Sequence, residues 1–170
     1  MNENRVQDDP RYQALIQLIR TAETLWNSSR LLFAGWGLSP SQFNVMNLLH
    51  ELEGGLSQVE LSRALLMHRS NVTGLVDRLE QRKLVTRQGV PGDRRSYLVC
   101  LTGEGRRIMA EILPLYHKAA ERVWGRISPN RALKLKLDLD RLCENAAQIA
   151  AEYRQPEHGG NDEDIRQAAC

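Results

Sequence analysis

Leu56–Thr102 reads LSQVELSRALLMHRSNVTGLVDRLEQRKLVTRQGVPGDRRSYLVCLT, and the way this stretch folds decides the rest. It opens on a capping box: the Ser57 hydroxyl can accept from the Glu60 amide while the Glu60 carboxylate reaches back to the Ser57 amide. Leu56 and Leu61 flank the box as a hydrophobic staple, so a helix begins here and runs to about Leu66. After Met67–His68 a second helix follows, with Val72, Leu75, Val76 and Leu79 at i, i+3, i+4 and i+7. These four define a buried face. The opposite face carries Ser70, Thr73, Gly74, Asp77, Arg78 and Gln81, flanked by Arg69 and Asn71.

A hairpin comes next. Val85–Gln88 is short and extended, Gly89–Asp93 holds turn chemistry, and Tyr97, Val99 and Leu101 alternate with Leu98 and Cys100. Strand alternation predicts that Cys100 is buried. Two helices joined by a tight turn, then a ribbon with Asp93-Arg94-Arg95 at its tip, describe a winged helix-turn-helix: mainly α, with a small β-hairpin wing. In that arrangement the second helix enters a major groove and the hairpin reaches the neighbouring backbone or minor groove. Ser70, Asn71 and Thr73 are then candidates for base edges, and Arg69, Arg78, Arg87 and Arg94 for the backbone. The Ser57–Gln58 end of the first helix is a candidate for a phosphate. Gly74 costs on the order of 1 kcal/mol relative to Ala in a helix. Its bare backbone would allow close approach to DNA; a tolerated surface glycine is the alternative.

Charge distribution agrees with that surface. Between Ser57 and Arg107 ten basic residues stand against five acidic ones, a net +5, and the other 13 basic and 16 acidic residues leave the remainder at −3. Positive charge is thus concentrated where phosphates would lie. The three cysteines, Cys100, Cys143 and Cys170, are too sparse for a disulfide framework or a zinc site. The four histidines are scattered, with no helical ligand pair. No Gly-rich phosphate loop or nucleophile motif appears, so neither an enzyme, a cofactor nor a metal is expected. Residues 31–49 lack formal charge but hold too many Gly, Ser, Asn and Pro to span a membrane, and the N-terminus has no signal-like apolar core. A cytoplasmic protein is expected.

The flanks are helical. Residues 1–9 read as a disordered N-terminus, followed by an amphipathic helix over 10–34 with Leu15, Ile19, Ala22, Trp26 and Phe33 along one stripe. Gly35 and Gly37 end it. Ser39-Pro40-Ser41-Gln42 repeats the start logic with Leu38 and Phe43 as staple, and Val45, Leu48, Leu49 and Leu52 form a core stripe. Beyond the wing, Thr102 caps a helix containing Pro114. Ser128-Pro129 starts a last one, where Leu135, Leu139, Leu142, Ala146, Ile149 and Tyr153 hold a helical stripe against the strand-like look of Leu133–Leu139. Residues 155–170 read as a flexible tail. The terminal helices, 10–34 and 103–154, carry more apolar surface than a winged domain over 38–102 can cover. A two-fold homodimer would bury the excess and set two reading helices about one DNA turn apart.

Taken together, Gly37-Leu38-Ser39 with Gln42, Leu56-Ser57, Leu61-Ser62, Val72-Thr73, Leu75–Glu80, Leu84-Val85, Asp93-Arg94-Arg95 and Leu101-Thr102 resemble the multiple-antibiotic-resistance regulator (MarR) family, from about Tyr12 to Tyr153. The resemblance implies a transcriptional regulator that dimerises through its terminal helices and binds double-stranded DNA at a pseudo-palindromic operator. It further implies that Arg95 enters the minor groove while Asp93 orients it. Repression relieved by a small aromatic or anionic effector is the activity implied, with Trp26, Phe33, Phe43, Met46 and His50 lining an effector cleft and Arg30 pairing an anion. Aromatic and Met residues at helical spacing are also what plain core looks like. An effector-independent regulator or nucleoid-protein antagonist is the alternative function. Two positions depart from the family pattern: His68 stands where an Asp cap is common, and Gly74 where Arg is frequent.

Overall fold

The computed structural model describes residues 8–52, 54–90 and 92–153, with the side chains of residues 93–95 outside that description. Among the described residues, six α-helices and one two-stranded antiparallel sheet follow in order: α1 Pro10–Phe33, α2 Pro40–Glu51, α3 Gln58–Ala64, α4 Arg69–Gln81, β1 Val85–Val90, β2 Asp93–Leu101, α5 Gly103–Trp124 and α6 Pro129–Glu152. A 3₁₀ turn, Ala34–Trp36, separates α1 from α2. Asp9, assigned above to the disordered start, instead caps α1 by accepting from the Arg11 amide at 2.8 Å. Residues 1–7 of that start and the tail 155–170 lie outside the described residues.

Local chemistry sets the boundaries. Both expected capping boxes form, Ser39 with Gln42 and Ser57 with Glu60. Three helices stop in the same way, in a paired 6→1 and 5→2 hydrogen-bond motif. Leu38 and Gly37 reach back to Phe33 and Ala34, Met67 and Leu66 to Ser62 and Arg63, and Leu84 and Lys83 to Leu79 and Glu80. The motif needs a left-handed residue. Gly37 supplies it freely at φ 62°, whereas Leu66 and Lys83 adopt φ 51° and 58° against the steric preference of an L side chain. The motif at Leu66 is why α3 closes at Ala64, two residues earlier than its apolar pattern suggests.

The core lies between α2, α4, the sheet and the first half of α5. Val45, Met46, Leu61, Val72, Val76, Leu79 and Met109 are fully buried in it, joined by Val85, Val99 and Leu101 from the sheet. Leu56 adds a bridge on the far side of β2, exchanging both backbone hydrogen bonds with Val99 at 3.0 and 2.8 Å. Thr102 accepts from the Gly105 amide at 3.0 Å to start α5. Gly105 permits the docking of α5 on the sheet, because a Cβ there would sit 2.1 Å from the Leu84 carbonyl oxygen.

Two expectations fail here. Phe33, Phe43 and Met46, assigned to an effector cleft, are interior residues; the rings of Phe33 and Phe43 stack at 4.1 Å and Tyr116 closes on Phe43 at 4.9 Å. Rings this close pack against one another as core. Cys100 is not buried either. The alternation runs the other way, with Val99 and Leu101 inward, and the partly exposed Cys100 thiol lies 3.7 Å from the Gly54 carbonyl.

The described chain divides after Ala119 into two compact units. The second contains the end of α5 and all of α6. Residues 133–139 are helical, as the stripe predicts, yet α6 has no buried residue. Leu133, Leu135, Leu137, Leu142 and Ile149 are all exposed.

Candidate nucleic-acid interface

The reading surface is built on α4. With Val72, Leu75, Val76 and Leu79 facing the core, helical periodicity turns Arg69, Ser70, Asn71, Arg78 and Gln81 to solvent, and all five are exposed. Ser70, Asn71, Gly74 and Arg78 line an open recess of about 310 Å³ whose far wall includes Ser41 and Met67. No carboxylate pairs with Arg69 or Arg78 among the described residues. Gly74 answers to no internal constraint: the nearest atom to a Cβ built there is the Arg78 guanidinium at 3.7 Å. An alanine would fit in the free protein, which leaves both the close-approach and the tolerated-glycine readings of Gly74 standing.

The start of α4 is held by His68. Its Nδ1 lies 2.7 Å from the Ser70 hydroxyl and accepts weakly from the Ser70 amide at 3.4 Å. An imidazole thus does the work of the usual carboxylate or hydroxyl cap, without its permanent negative charge. Ser70 is tethered at its base by this contact and remains exposed. Thr73 is more constrained. Its hydroxyl lies 3.0 Å from the Gln58 side-chain oxygen and 3.1 Å from the Arg69 carbonyl, and its single proton serves one of them at a time. The contact orients Gln58, whose amide nitrogen has no bond to another described residue.

At the head of α3 the Ser57 hydroxyl and amide both donate to the Glu60 carboxylate at 2.7 Å. These bonds hold the Glu60 carboxyl below the usual carboxylate range. Ser57 is therefore spent on the cap, and a permanent anion stands beside it.

Arg87, expected at a phosphate, is engaged within the protein. One guanidinium nitrogen donates to Asp77 at 2.5 Å and the other to Glu80, whose second oxygen accepts from the Arg87 amide at 3.0 Å. Asp77 first and then Glu80 raise the Arg87 pKa above its ordinary value. An arginine gripped at both ends has no free fork to offer a phosphate. The sequence carried one signal of this pairing: two acids three residues apart on a helix meant for a polyanion need a cation of their own. Arg82, counted above with the basic surface, is also engaged, donating to the Trp36 and Gly37 carbonyls at 2.7 Å each.

The wing strands pair from Val85↔Leu101 to Gly89↔Tyr97, with a register irregularity before Val90↔Asp93, and Gly92 in the turn takes φ 85°. The backbone of Asp93, Arg94 and Arg95 belongs to β2; the expected Asp93–Arg95 pair concerns side chains outside the described residues. Of the expected effector residues, Trp26 and Arg30 are exposed on α1, while His50 is exposed beside a separate cleft of about 400 Å³ with Cys100 and Arg106. The six are not brought together. No described helix is long and apolar enough to cross a membrane.

Comparison with known proteins agrees with this geometry. The model of the MarR family matches residues 36–96. Transcriptional regulator HosA of Escherichia coli O111:H- is 33% identical over 109 residues, 64% of this chain and 79% of that protein. Transcriptional repressor MprA of Escherichia coli K12 is 29% identical over 129 residues, 75% of this chain and 73% of its own. Among solved structures, CouR from Rhodococcus jostii RHA1 bound to p-coumaroyl-CoA superimposes with a TM-score of 0.71 at 26% identity, covering 81% of this chain and 93% of CouR. A mostly helical chain with a two-stranded wing, matched across the reading head and over most of a curated relative, has one consistent assignment: this protein belongs to the MarR family of transcriptional regulators.

Proposed function

We propose that the protein is a homodimer that reads a pseudo-palindromic operator through α4 and represses from it. The observation that carries this reading is the solvent face of α4, where Ser70, Asn71 and Gly74 lie between two arginines that have no carboxylate partner among the described residues. Hydrogen-bonding groups able to read base edges thus sit between cations able to hold phosphates. Asn71 suits an adenine edge, Arg69 and Arg78 the backbone, Gln58 a phosphate at the first helix, and the wing arginines Arg94 and Arg95 the adjoining backbone and minor groove. Thr73 acts by orienting Gln58. The exposed apolar residues of α1 and α6 supply the dimer surface. Such a protein works beside the chromosome, in the cytoplasm.

Relief by a small aromatic or anionic effector finds support in CouR, whose structure holds p-coumaroyl-CoA. Trp26 and Arg30 are the residues of this chain we assign to it. The burial of Phe33, Phe43 and Met46 in the core favours the second reading, a regulator without effector, because three of the residues expected to line a cleft are enclosed by protein. Selection of duplexes from a random pool tests the main reading: enrichment of a palindrome with half-sites about one turn apart is expected, and the absence of any enriched sequence overturns it. A thermal-shift screen with planar carboxylates separates the two readings. A compound that stabilises the protein and releases the selected duplex supports the effector, and no such compound leaves the effector-free reading standing.

A further inference from the structure

We propose that Arg87 is a positioning residue for DNA reading: it locks the wing to the reading helix through Asp77 and Glu80 and touches no phosphate itself. The proposal rests on the DNA-binding function argued above. Two sets of contacts meet at this residue. Arg87 lies opposite Val99 in the ladder, and Val99 spends its backbone groups on Leu56 on the far side of β2. The Arg87 amide therefore faces away from β2, on the open edge of β1, and Glu80 is its partner at 3.0 Å. An unpaired edge amide would otherwise invite a foreign strand or go unsatisfied. The guanidinium of the same residue then spans Glu80 and Asp77, which stand three residues apart on α4, with its side chain only 25% exposed. Backbone and side chain of one wing residue are thus held by two carboxylates of the reading helix, which restrains the ribbon in both shift and tilt.

The lever arm explains why this matters for DNA. The turn at Gly92 is five residues beyond Arg87, roughly 16 Å at about 3.3 Å per residue. A tilt of about 10° at the lock moves the tip by roughly 3 Å on that arm, enough to take a side chain out of hydrogen-bond range of its target. Swinging the guanidinium out to a phosphate would leave two carboxylates unpaired beside a polyanion, so electrostatics favours the closed arrangement on DNA as well as off it.

The two roles give opposite signs. Binding of the selected duplex and of a scrambled duplex is measured by fluorescence anisotropy over a range of salt for the full-length protein, for Arg87→Ala, Arg87→Lys and for Asp77→Asn with Glu80→Gln. Removing two acids beside DNA should tighten binding if only charge counts. The lock predicts the reverse: at least tenfold weaker binding of the selected duplex by the double variant, with little change on the scrambled one. Arg87→Ala should show the same loss with an unaltered salt slope, and Arg87→Lys a partial recovery. A drop of about one in the salt slope for Arg87→Ala, the mark of a lost phosphate contact, or tighter binding by the double variant overturns the proposal. Hydrogen exchange without DNA provides a second check: wing amides should exchange faster in the double variant while those of Val72–Leu79 keep their protection. Equal protection of the wing overturns the lock even if DNA affinity falls. Wild-type protein that enriches no duplex defeats the DNA function, and the positioning role with it, while the exchange result still reports on the lock.

Discussion

Helices α4 and α6 are both amphipathic, yet they end in opposite conditions. In α4 every stripe residue is buried, Val72, Val76 and Leu79 completely, and what remains exposed is polar or cationic. In α6 the stripe is equally regular, but Leu135, Leu142 and Ile149 stay close to half exposed. The difference teaches that a surface names its partner by what it leaves uncovered. Polar groups between arginines with no carboxylate partner among the described residues suit a polyanion, whereas a row of exposed leucines suits more protein. The apolar stripe of the first is covered within the chain; that of the second is exposed.

The most damaging change for the α4 side of this contrast is Gly105→Ala. A Cβ 2.1 Å from the Leu84 carbonyl must push α5 off the sheet on which the α4 core rests. A loss of about 3 kcal/mol is expected, measurable by urea unfolding; an unchanged midpoint would mean that the packing of α5 is looser than the geometry states. On the α6 side, Leu135→Glu should weaken association by about 2 kcal/mol or more while the winged domain stays folded. Sedimentation equilibrium reads this directly, and an unshifted mass removes α6 from the dimer surface.

Smaller changes sharpen the contrast. Arg78→Ala should cost about 1 kcal/mol on every duplex and reduce the salt slope by about 1, with no effect on thermal stability because the side chain has no ion-pair partner among the described residues. Asn71→Ala, by comparison, should change which base is preferred at one position of the half-site, visible as an altered selected palindrome. The mildest is Lys83→Gly. Relief of a left-handed lysine at φ 58°, set against the greater freedom of glycine in the unfolded chain, should stabilise by about 0.5 kcal/mol. A lower melting temperature would show that the Lys83 stem contributes packing that outweighs its backbone strain.

Much of this molecule was legible in the chain because its signals are local. Capping boxes at Ser39 and Ser57, the Pro residues at the first turns of α2 and α6, and the stripe of α4 each follow from residues within one or two helical turns. The same logic placed Ser70, Asn71 and Arg78 on the solvent face of α4, where all three are exposed. It failed where partners are distant in sequence. Arg87 was assigned to a phosphate because β1 is ten residues from Asp77 in the chain and no periodicity links a helix acid to a strand arginine. Cys100 was placed inward because alternation defines two faces without saying which is the inner one; the Leu56 bridge and the packing of Val99 decide that.

Sequence alone determined where helices begin, which side of each is apolar, and that basic groups gather around α4, since those depend on near neighbours and on composition. Tertiary structure alone decided which charges are spent and which are free. Phe33 and Phe43 became core instead of cleft, and Arg87 became a tie while Arg78 stayed open, because an ion pair or a stacked ring exists only once the fold has brought distant residues within a few ångströms.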